Sequence, residues 1–473
     1  MDKMRERFKT FALAFLVLSG VLQFFLLIAT GQEPVYVLPP QTQQKLLEEQ
    51  QGFPPETLAM PIRMIAHLGP KGTDPDAKEH VLLRSSVTYY ANIWSMLKEI
   101  FTAEPFLDLE EVMAVRPSLW NANEPSLELI LCQPVDIDVY LDFLGVTTNL
   151  GESLEAEKAI CIDRFYLSAS SDDLVLVSDV AGVIYALPWK TNAAVLHEFL
   201  RIAERGVLEV FAVNVEAYGF ASAQAIYGTS SLEASRWLVA LGLSAERFYD
   251  LAPNIFDDPA LLRVSEEVEE EGIVFEDNRR RLSFEGNRMS LEQTRASLIS
   301  DVGTTPIWRE AASVLRTLDL WPEDNFYYDG ALSTYSRQTI FLQQAHHGRP
   351  VFELRQDEEI SILSTLCAEG RAGELVTLSY LPWRLSNISG PAVAIIGQGE
   401  LLQRLGAHLS ETAEERADLP LLRDIYEAFL CRDSSDLTEL VWVVECVDGQ
   451  RFFFEMQSGA FIGAMSALAE RNP

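Results

Sequence analysis

The sequence predicts an α+β protein, with an N-terminal transmembrane helix followed by extracytoplasmic domains in which helices pack on antiparallel sheets. An uncharged apolar run stands near the N-terminus, short strand-like segments follow one another directly, and fewer segments have helical periodicity. The predicted segments are a cytoplasmic tail (1–9), the transmembrane helix (10–30), a stalk or linker (31–60), an N-terminal extracytoplasmic domain (61–204), a middle domain (205–320) and a C-terminal domain (321–473).

The predicted transmembrane helix lies in the run TFALAFLVLSGVLQFFLLIATG, which extends from Thr10 to Gly31 without a charged residue. A helix of residues 11–29 would be about 28 Å long, which matches the hydrocarbon core of a bilayer. Because positively charged flanks remain in the cytoplasm, we expect a single-pass protein of the cell membrane with its bulk outside. The basic residues that precede the run are Lys3, Arg5, Arg7 and Lys9.

A cleaved signal peptide is the alternative interpretation of this segment. The small residues Ala29-Thr30-Gly31 are placed as at a signal-peptidase site, but the apolar run is longer than the usual signal-peptide core. We therefore favour an uncleaved anchor, and cleavage stays open. The Pro- and Gln-rich residues 31–60 predict a stalk between the anchor and the folded region.

One face of the predicted anchor carries polar or small residues. Ala12, Leu16, Ser19, Gly20 and Gln23 share a helical stripe. A glutamine in lipid is costly unless its amide finds a partner, and small residues let a second helix approach closely. We predict that this face contacts the transmembrane helix of a partner. A monomeric anchor that satisfies its glutamine internally is the alternative.

The charge balance is strongly acidic, with 70 acidic against 37 basic residues and a net charge of −33. Such a surface argues against nucleic-acid binding and favours a soluble external region. Three consecutive arginines interrupt it in "IVFEDNRRRLSFEG" (273–286). Alternating apolar residues flank Asp277-Asn278, so we predict a β-hairpin whose arginines pair with neighbouring carboxylates. A small anion site is the alternative.

Several further elements follow from periodicity. We predict strands at 127–134, 160–170, 173–179 and 182–189, and helices at 87–101, at 230–243 and from the cap at Thr304 or Thr305 to residue 321. In the C-terminal domain, "HHGRPVFEL" (346–354) and "VDGQRFFFEM" (447–456) each place a glycine turn before an aromatic strand. A strand precedes each of them, and a helix lies farther upstream, at 304–321 in one case and at 399–409 or 421–430 in the other. This echo suggests an internal duplication.

A search for local catalytic or metal-binding motifs predicts no catalytic residue, no metal site and no cofactor. Adjacent residues on a strand point to opposite faces, so His346-His347 would not chelate one ion there. "SMLK" (95–98) lacks the partner motifs of penicillin-binding enzymes, and "DIDVYLD" (136–142) indicates a helix start rather than a calcium loop. The cysteines form no C-x-x-C pair, which favours buried free thiols: Cys132, Cys161, Cys367, Cys431 and Cys446.

Stretches between about residues 250 and 460 match a known pattern of apolar and turn residues. "NIFDDPALLRV" (254–264), an acidic spacer and "GIVFEDNRRRLSF" (272–284) correspond to an F-x-D-P-like segment before a hairpin with a basic turn. "GRPVF" (348–352) corresponds to a strand entry, and residues 421–455 to a C-terminal helix, loop and closing strands. In these features the sequence resembles the YycH (WalH) family, and the order of tail, membrane helix and large external region agrees.

The resemblance implies a non-enzymatic, membrane-anchored regulator in a Gram-positive two-component system. Its implied partners are the YycG/WalK sensor histidine kinase, which controls cell-wall metabolism, and a YycI-like protein, both contacted through transmembrane helices. It also implies α+β external domains, two of them similar to those of YycI. Whether the protein activates or inhibits the kinase stays open, as do the external signal and the oligomeric state.

Two other functions are compatible with the sequence. An envelope hydrolase would have a non-local active site, which predicts a deep pocket with perturbed carboxylates or an activated nucleophile. A cell-wall-binding scaffold would instead capture extended ligands along a sheet edge.

Overall fold

Antiparallel strands dominate the computed structural model. It describes residues 56–69, 79–84, 113–115, 125–144, 161–169, 173–179, 183–188, 193–204, 208–229, 233–234, 237–241, 245–256, 262–267, 272–285, 288–293, 307–320, 326–333, 337–346, 348–356, 360–371, 374–387, 393–412, 419–432 and 438–466. Within those ranges no helix is long and apolar enough to cross a membrane. The predicted anchor at 10–30, residues 31–55 of the predicted stalk, the helix at 87–101 and "SMLK" lie outside the described residues. The last residues of the predicted stalk are described, and Leu58 and Ala59 are buried in the main apolar cluster.

The strands are short and frequent. The first twelve are β1 (Arg63–His67), β2 (His80–Arg84), β3 (Met113–Val115), β4 (Ser126–Asp136), β5 (Cys161–Ser168), β6 (Asp173–Ser178), β7 (Val183–Pro188), β8 (Glu209–Ala212), β9 (Ala221–Ser222), β10 (Tyr227–Thr229), β11 (Glu233–Ala234) and β12 (Trp237–Leu241). The later strands are β13 (Arg263–Glu267), β14 (Gly272–Glu276), β15 (Arg280–Glu285), β16 (Arg288–Gln293), β17 (Phe326–Ser333), β18 (Gln338–His346), β19 (Arg349–Gln356), β20 (Ile360–Leu363), β21 (Leu366–Arg371), β22 (Glu374–Tyr380), β23 (Trp383–Asn387), β24 (Val393–Ala394), β25 (Leu421–Arg432), β26 (Thr438–Cys446), β27 (Arg451–Glu455) and β28 (Phe461–Met465).

The described residues contain fewer helices than strands, and the mixture agrees with the predicted α+β class. The helices in the described ranges are α1 (Ile137–Phe143), α2 (Ala193–Ala203), α3 (Ala245–Leu251), α4 (Ile307–Thr317) and α5 (Gln398–Thr412). Short 3-10 turns cover Glu56–Ala59, Val215–Tyr218 and Ala252–Ile255. The predicted helix start in "DIDVYLD" is confirmed, because Asp136 caps α1 by accepting a 2.9 Å hydrogen bond from the Asp138 amide.

The first sheet contains strands from the N-terminal half of the chain, in the order β10-β8-β2-β1-β4-β5-β6-β7-β3. The four strands predicted between residues 127 and 189 are confirmed as β4 to β7, and each pairs antiparallel with the next. Residues 126–133 of β4 are all buried, so both faces of this strand are covered. Its continuous apolar run is therefore the pattern of a central strand.

The second sheet is larger, and its described path is β13-β14-β15-β16-β22-β21-β18-β19-β25-β26-β27-β28. β17 pairs with β18, β20 with β19, and β9 with β25. The pairs β11-β24 and β12-β23 form small separate ladders. The described residues belong to one compact unit that spans residues 54–473. The domain boundaries at 204/205 and 320/321 stay predictions.

The hairpin predicted around Asp277-Asn278 is confirmed as β14 and β15. The Asp277 carboxylate accepts 2.7 Å hydrogen bonds from the amides of Arg279 and Arg280, which closes the turn. The guanidinium of Arg280 donates to the Gln293 side-chain oxygen and to the Ile255 carbonyl, so the turn folds against the 3-10 segment before it. The pairing of the arginines with neighbouring carboxylates stays a prediction.

The predicted helix at 230–243 is wrong, and of the two alternatives for the helix upstream of the second echo, 399–409 is confirmed as α5 whereas 421–430 is wrong. Residues 230–243 contain β11 and β12, and β12 forms an antiparallel ladder with β23. Residues 421–430 lie in β25, between antiparallel β26 and parallel β19. β25 is buried on both faces, and such a strand has apolar residues at helical as well as alternating spacings, so periodicity alone does not separate the two conformations there. Long-range pairing determined the outcome.

The C-terminal echo extends farther than the sequence predicted. One unit runs α4, β17, β18, glycine turn, β19, β20, and the other runs α5, β25, β26, glycine turn, β27, β28. The turn residues Gly348 and Gly449 have φ values of 72° and 85°, which favour glycine. Parallel pairing of β19 with β25 joins the two units in the second sheet.

Helix α4 packs on the second sheet through one apolar face. Ile307, Ala311 and Leu315 are buried in one apolar cluster with residues of β21 and β22. A Cβ at Gly370 would lie 2.4 Å from Ile307 Cδ1, so this glycine permits the close approach of helix and sheet. The same cluster continues through α1 to the first sheet.

Candidate functional site: a buried ionic layer between the sheets

A layer of buried charged side chains lies where the first and second sheets meet. Its members, called the ionic layer below, are Glu128, Asp163, Arg164 and Asp179 in or next to the first sheet, and Asp329, Arg423, Asp424, Glu445 and Arg451 from the second. Removing a charge from water costs several kcal/mol unless partners compensate it. The ionic layer is therefore compatible with a stable fold only if the geometry of its ion pairs and hydrogen bonds is closely maintained.

Arg423 of β25 crosses from the second sheet to the first through a bulge. The pairing of β4 with β5 shifts register between Ile130 and Val135. In that interval the carbonyls of Leu131 and Cys132 each accept a 3.1 Å hydrogen bond from the Arg423 guanidinium. A bulge frees backbone groups from the ladder, and here those groups bind a charged donor from the other sheet.

Carboxylates complete the surroundings of Arg423. Its Nη1 donates to Glu445 Oε1 at 2.9 Å, and its Nε lies 3.2 Å from Asp163 Oδ1. Burial alone would lower the pKa of Arg423, but the surrounding carboxylates have the larger effect and raise it above its ordinary value. Glu445 also lies 3.5 Å from Arg451 Nε. Burial tends to raise the pKa of Glu445, but Arg451 and Arg423 together hold it below its usual value.

Arg164 of β5 makes the reverse crossing. Its Nη1 binds Glu128 Oε1 at 2.7 Å, and its Nη2 donates to the backbone carbonyl of Arg423 at 2.7 Å. Asp179 lies 3.4 Å from its Nε. Each sheet therefore sends an arginine to carbonyl groups of the other, and a relative shift of the sheets would break charge-assisted hydrogen bonds on both sides.

A histidine pair extends the ionic layer towards solvent. His67 and His80 lie opposite each other on β1 and β2, with their Nδ1 atoms 2.9 Å apart. The buried His67 ring reaches Glu128 Oε2 through Nε2 at 3.1 Å, and Glu128 in turn binds Arg164. A proton change at the half-buried His80 therefore acts on a chain of contacts that ends at the second sheet.

The sequence contained a signal for this pair that the motif search missed. "RMIAH" and "HVLLR" are near mirror images, so antiparallel pairing of two such strands brings their histidines together. No group of three or more His, Cys, Asp or Glu side chains is arranged to hold a metal ion within the described ranges.

We predict that acidification from pH 7.5 to 6 destabilises the protein partly through His80. Burial and then the neighbouring His67 lower the pKa of His80 below its ordinary value of 6.5, against the pull of Glu79, Glu128 and Glu209. The unfolded chain consequently binds more protons near pH 6, so the free energy of unfolding falls as the pH falls through that range. Urea titrations at several pH values measure this slope.

His80→Gln should make that pH slope shallower. His197→Gln is the matched control, because His197 is exposed on α2 and its replacement should leave the slope unchanged. Equal slopes in the wild type and His80→Gln would reject the role of His80.

A small cavity of about 40 Å³ adjoins the ionic layer. Its lining comes from both sheets and includes Arg63 of β1, Tyr227 of β10, Arg423 of β25 and Gln398 of α5. Trp442 also borders it, and the indole Nε1 donates to the Ile396 carbonyl at 3.1 Å, which fixes the chain entering α5. This volume holds a few water molecules or a small functional group.

The other candidate residues occupy separate places. The predicted anchor face, Ala12, Leu16, Ser19, Gly20 and Gln23, lies outside the described residues. The five cysteines are free, with Cys132, Cys431 and Cys446 buried and the other two partly buried. Burial raises the pKa of Cys132 to about 12, which opposes formation of a reactive thiolate.

Comparisons with known proteins identify the fold. No family model matches the chain, and no curated protein sequence matches it. The crystal structure of YycH from Bacillus subtilis matches with a TM-score of 0.50 and 12% identity, covering 83% of this chain and 94% of that one. The predicted resemblance is thereby confirmed at the level of fold: the chain has a YycH-like fold.

Two further solved structures match with lower TM-scores. An uncharacterized protein from Eubacterium rectale has a TM-score of 0.34 and 12% identity, covering 55% of this chain and 95% of that one. The Bacillus megaterium YpeB C-terminal domain has a TM-score of 0.26 and 8% identity, covering 50% of this chain and 100% of that one.

Proposed function

We propose that this chain is a non-enzymatic, membrane-anchored regulator of a two-component sensor histidine kinase that controls cell-wall metabolism. The observation that carries the proposal is the YycH-like fold, which covers 83% of the chain. The uncharged run at 10–31 after a basic tail supports a single membrane helix with the bulk of the chain outside. The partners would be a WalK/YycG-like kinase and a YycI-like protein.

The contact would be made in the membrane by Ala12, Leu16, Ser19, Gly20 and Gln23. A regulator changes kinase output only if it binds two states of the kinase with different affinities. A difference of about 1.4 kcal/mol changes the ratio of the states tenfold. Interhelical polar contacts contribute about 0.6–2 kcal/mol each, so one or two of them would be sufficient.

The buried ionic layer supports a role for the external region in this regulation. Reciprocal arginine contacts hold the two sheets in one arrangement, because Arg164 and Arg423 each bind backbone carbonyls across the boundary. A perturbation of either sheet would act on the other through these contacts. In this proposal the external region passes such a change to the anchor.

Co-purification from native membranes tests the contact. We expect the wild-type chain, extracted in mild detergent, to recover a sensor histidine kinase that mass spectrometry identifies. Gln23→Leu removes the amide and should reduce recovery of the kinase about fivefold, the effect of roughly 1 kcal/mol. Phe25→Leu is the control, since residue 25 lies about 200° around the helix from residue 23.

Each result bears on a different part of the proposal. Full recovery of the kinase with Gln23→Leu would reject the proposed helix face. Recovery of no kinase with the wild-type chain, under conditions that preserve other membrane complexes, would reject the regulator itself.

A further inference from the structure

The cavity beside the ionic layer contains a donor that has no acceptor. Gln398, the first residue of α5, is 3% exposed and lines the cavity. Its Nε2 has no hydrogen-bond partner among the described residues. Burying an amide donor without an acceptor is unfavourable. A ligand that brings an acceptor into the cavity would remove this cost.

The backbone opposite Gln398 leaves room for its amide. A Cβ at Gly228 on β10 would lie 2.8 Å from Gln398 Cδ and 3.0 Å from its Oε1. Any larger residue at position 228 would therefore push the amide out of its present place. A glycine on the first sheet and a glutamine on α5 together form a polar recess at the boundary.

The charges around the cavity indicate which acceptor fits. Each arginine of the lining has a carboxylate partner that also lines the cavity, and the pairs are Arg63–Asp424, Arg349–Glu427 and Arg423–Glu445. The lining therefore carries no excess charge. An ionic ligand would find no unpaired opposite charge there to offset the cost of its desolvation. Apolar side chains from the residue before β1, from β2 and from β8 also line it: Ile62, Leu82 and Val210.

We propose that the cavity binds the neutral amide group of a small ligand. The carbonyl oxygen of the ligand accepts a hydrogen bond from Gln398 Nε2, and its short apolar substituent contacts Ile62, Leu82 and Val210. Blocked peptides and N-acetylated sugars are the common carriers of such a group. Because the lining comes from both sheets, an occupied cavity stabilises their present arrangement. The inference does not depend on any membrane partner.

Titration of the purified full-length chain in detergent tests this inference. The probes are N-acetylglycinamide and N-acetylglucosamine, with acetate and glucose as controls that lack the neutral amide. Binding is measured from the thermal unfolding midpoint and from tryptophan fluorescence, to which Trp442 at the cavity contributes. We expect a saturable rise of the midpoint with at least one amide probe and with neither control, and the probe that responds identifies the carrier.

Two substitutions locate the site. Gln398→Leu removes the donor while keeping a side chain of similar size, and should weaken probe binding at least tenfold. Gln403→Leu is the matched control on the exposed face of α5 and should bind as the wild type does. Gly228→Ala should also abolish binding by displacing the amide. No saturable response of the wild type to either amide, or equal binding by Gln398→Leu, would overturn the proposal.

Discussion

Replacing Arg423 with Met should lower the free energy of unfolding by roughly 3–5 kcal/mol, the usual cost of breaking a buried ion pair from one side. The guanidinium is buried and contacts two carboxylates, Asp163 and Glu445. Its removal leaves Asp163 without that partner and frees the two carbonyls at the bulge of β4. Chemical unfolding followed by tryptophan fluorescence measures the loss.

Two further variants make this result specific. Arg404→Met removes an exposed pair with Glu400 on α5 and should cost no more than about 0.5 kcal/mol. Arg423→Lys retains the charge but not the planar fork that reaches both sheets, so its stability should lie between those of the wild type and Arg423→Met. If Arg423→Met were as stable as Arg404→Met, the ionic layer would not hold the sheets together.

Trp308→Ala should destabilise the protein by a similar amount, roughly 3–5 kcal/mol, because it opens a cavity in the main apolar core. Trp308 lies on α4 and is buried. Its ring meets Phe143 of α1 edge to face, with centroids 5.4 Å apart. The side chain thereby joins the helix on the second sheet to a helix that follows β4 of the first.

The neighbouring residue supplies the control for Trp308. Arg309 is exposed and pairs with Asp142 at 2.6 Å, so Arg309→Ala should cost less than about 1 kcal/mol. Trp308→Phe, which keeps an aromatic ring, should recover part of the lost stability. Thermal or urea unfolding of the three variants provides the comparison, and a loss below 1 kcal/mol for Trp308→Ala would show that the core tolerates the cavity.

Part of the candidate site could be anticipated from sequence. The near mirror images "RMIAH" and "HVLLR" place His67 opposite His80 once their strands pair. The partners of His67 and Arg423 could not be found in this way. Glu128 is 61 residues from His67, and the carbonyl of Leu131 is 292 residues from Arg423. No local period links such positions, because β1 meets β4 by long-range pairing within the first sheet and Arg423 meets β4 only when the two sheets pack.

Local pattern alone determined those elements whose neighbours in sequence are also their neighbours in space. The hairpin at Asp277 and the strands β4 to β7 are of this kind, because turn chemistry defines the hairpin and each of these strands pairs with the next along the chain. The helical pattern of α4 is also local, because one apolar face defines it. Tertiary structure decided β12, β25 and the ionic layer. β12 forms its ladder with β23, which is distant in sequence. β25 is covered on both faces, so its periodicity does not separate strand from helix. A charge in the core is tolerable only where distant strands supply its partners.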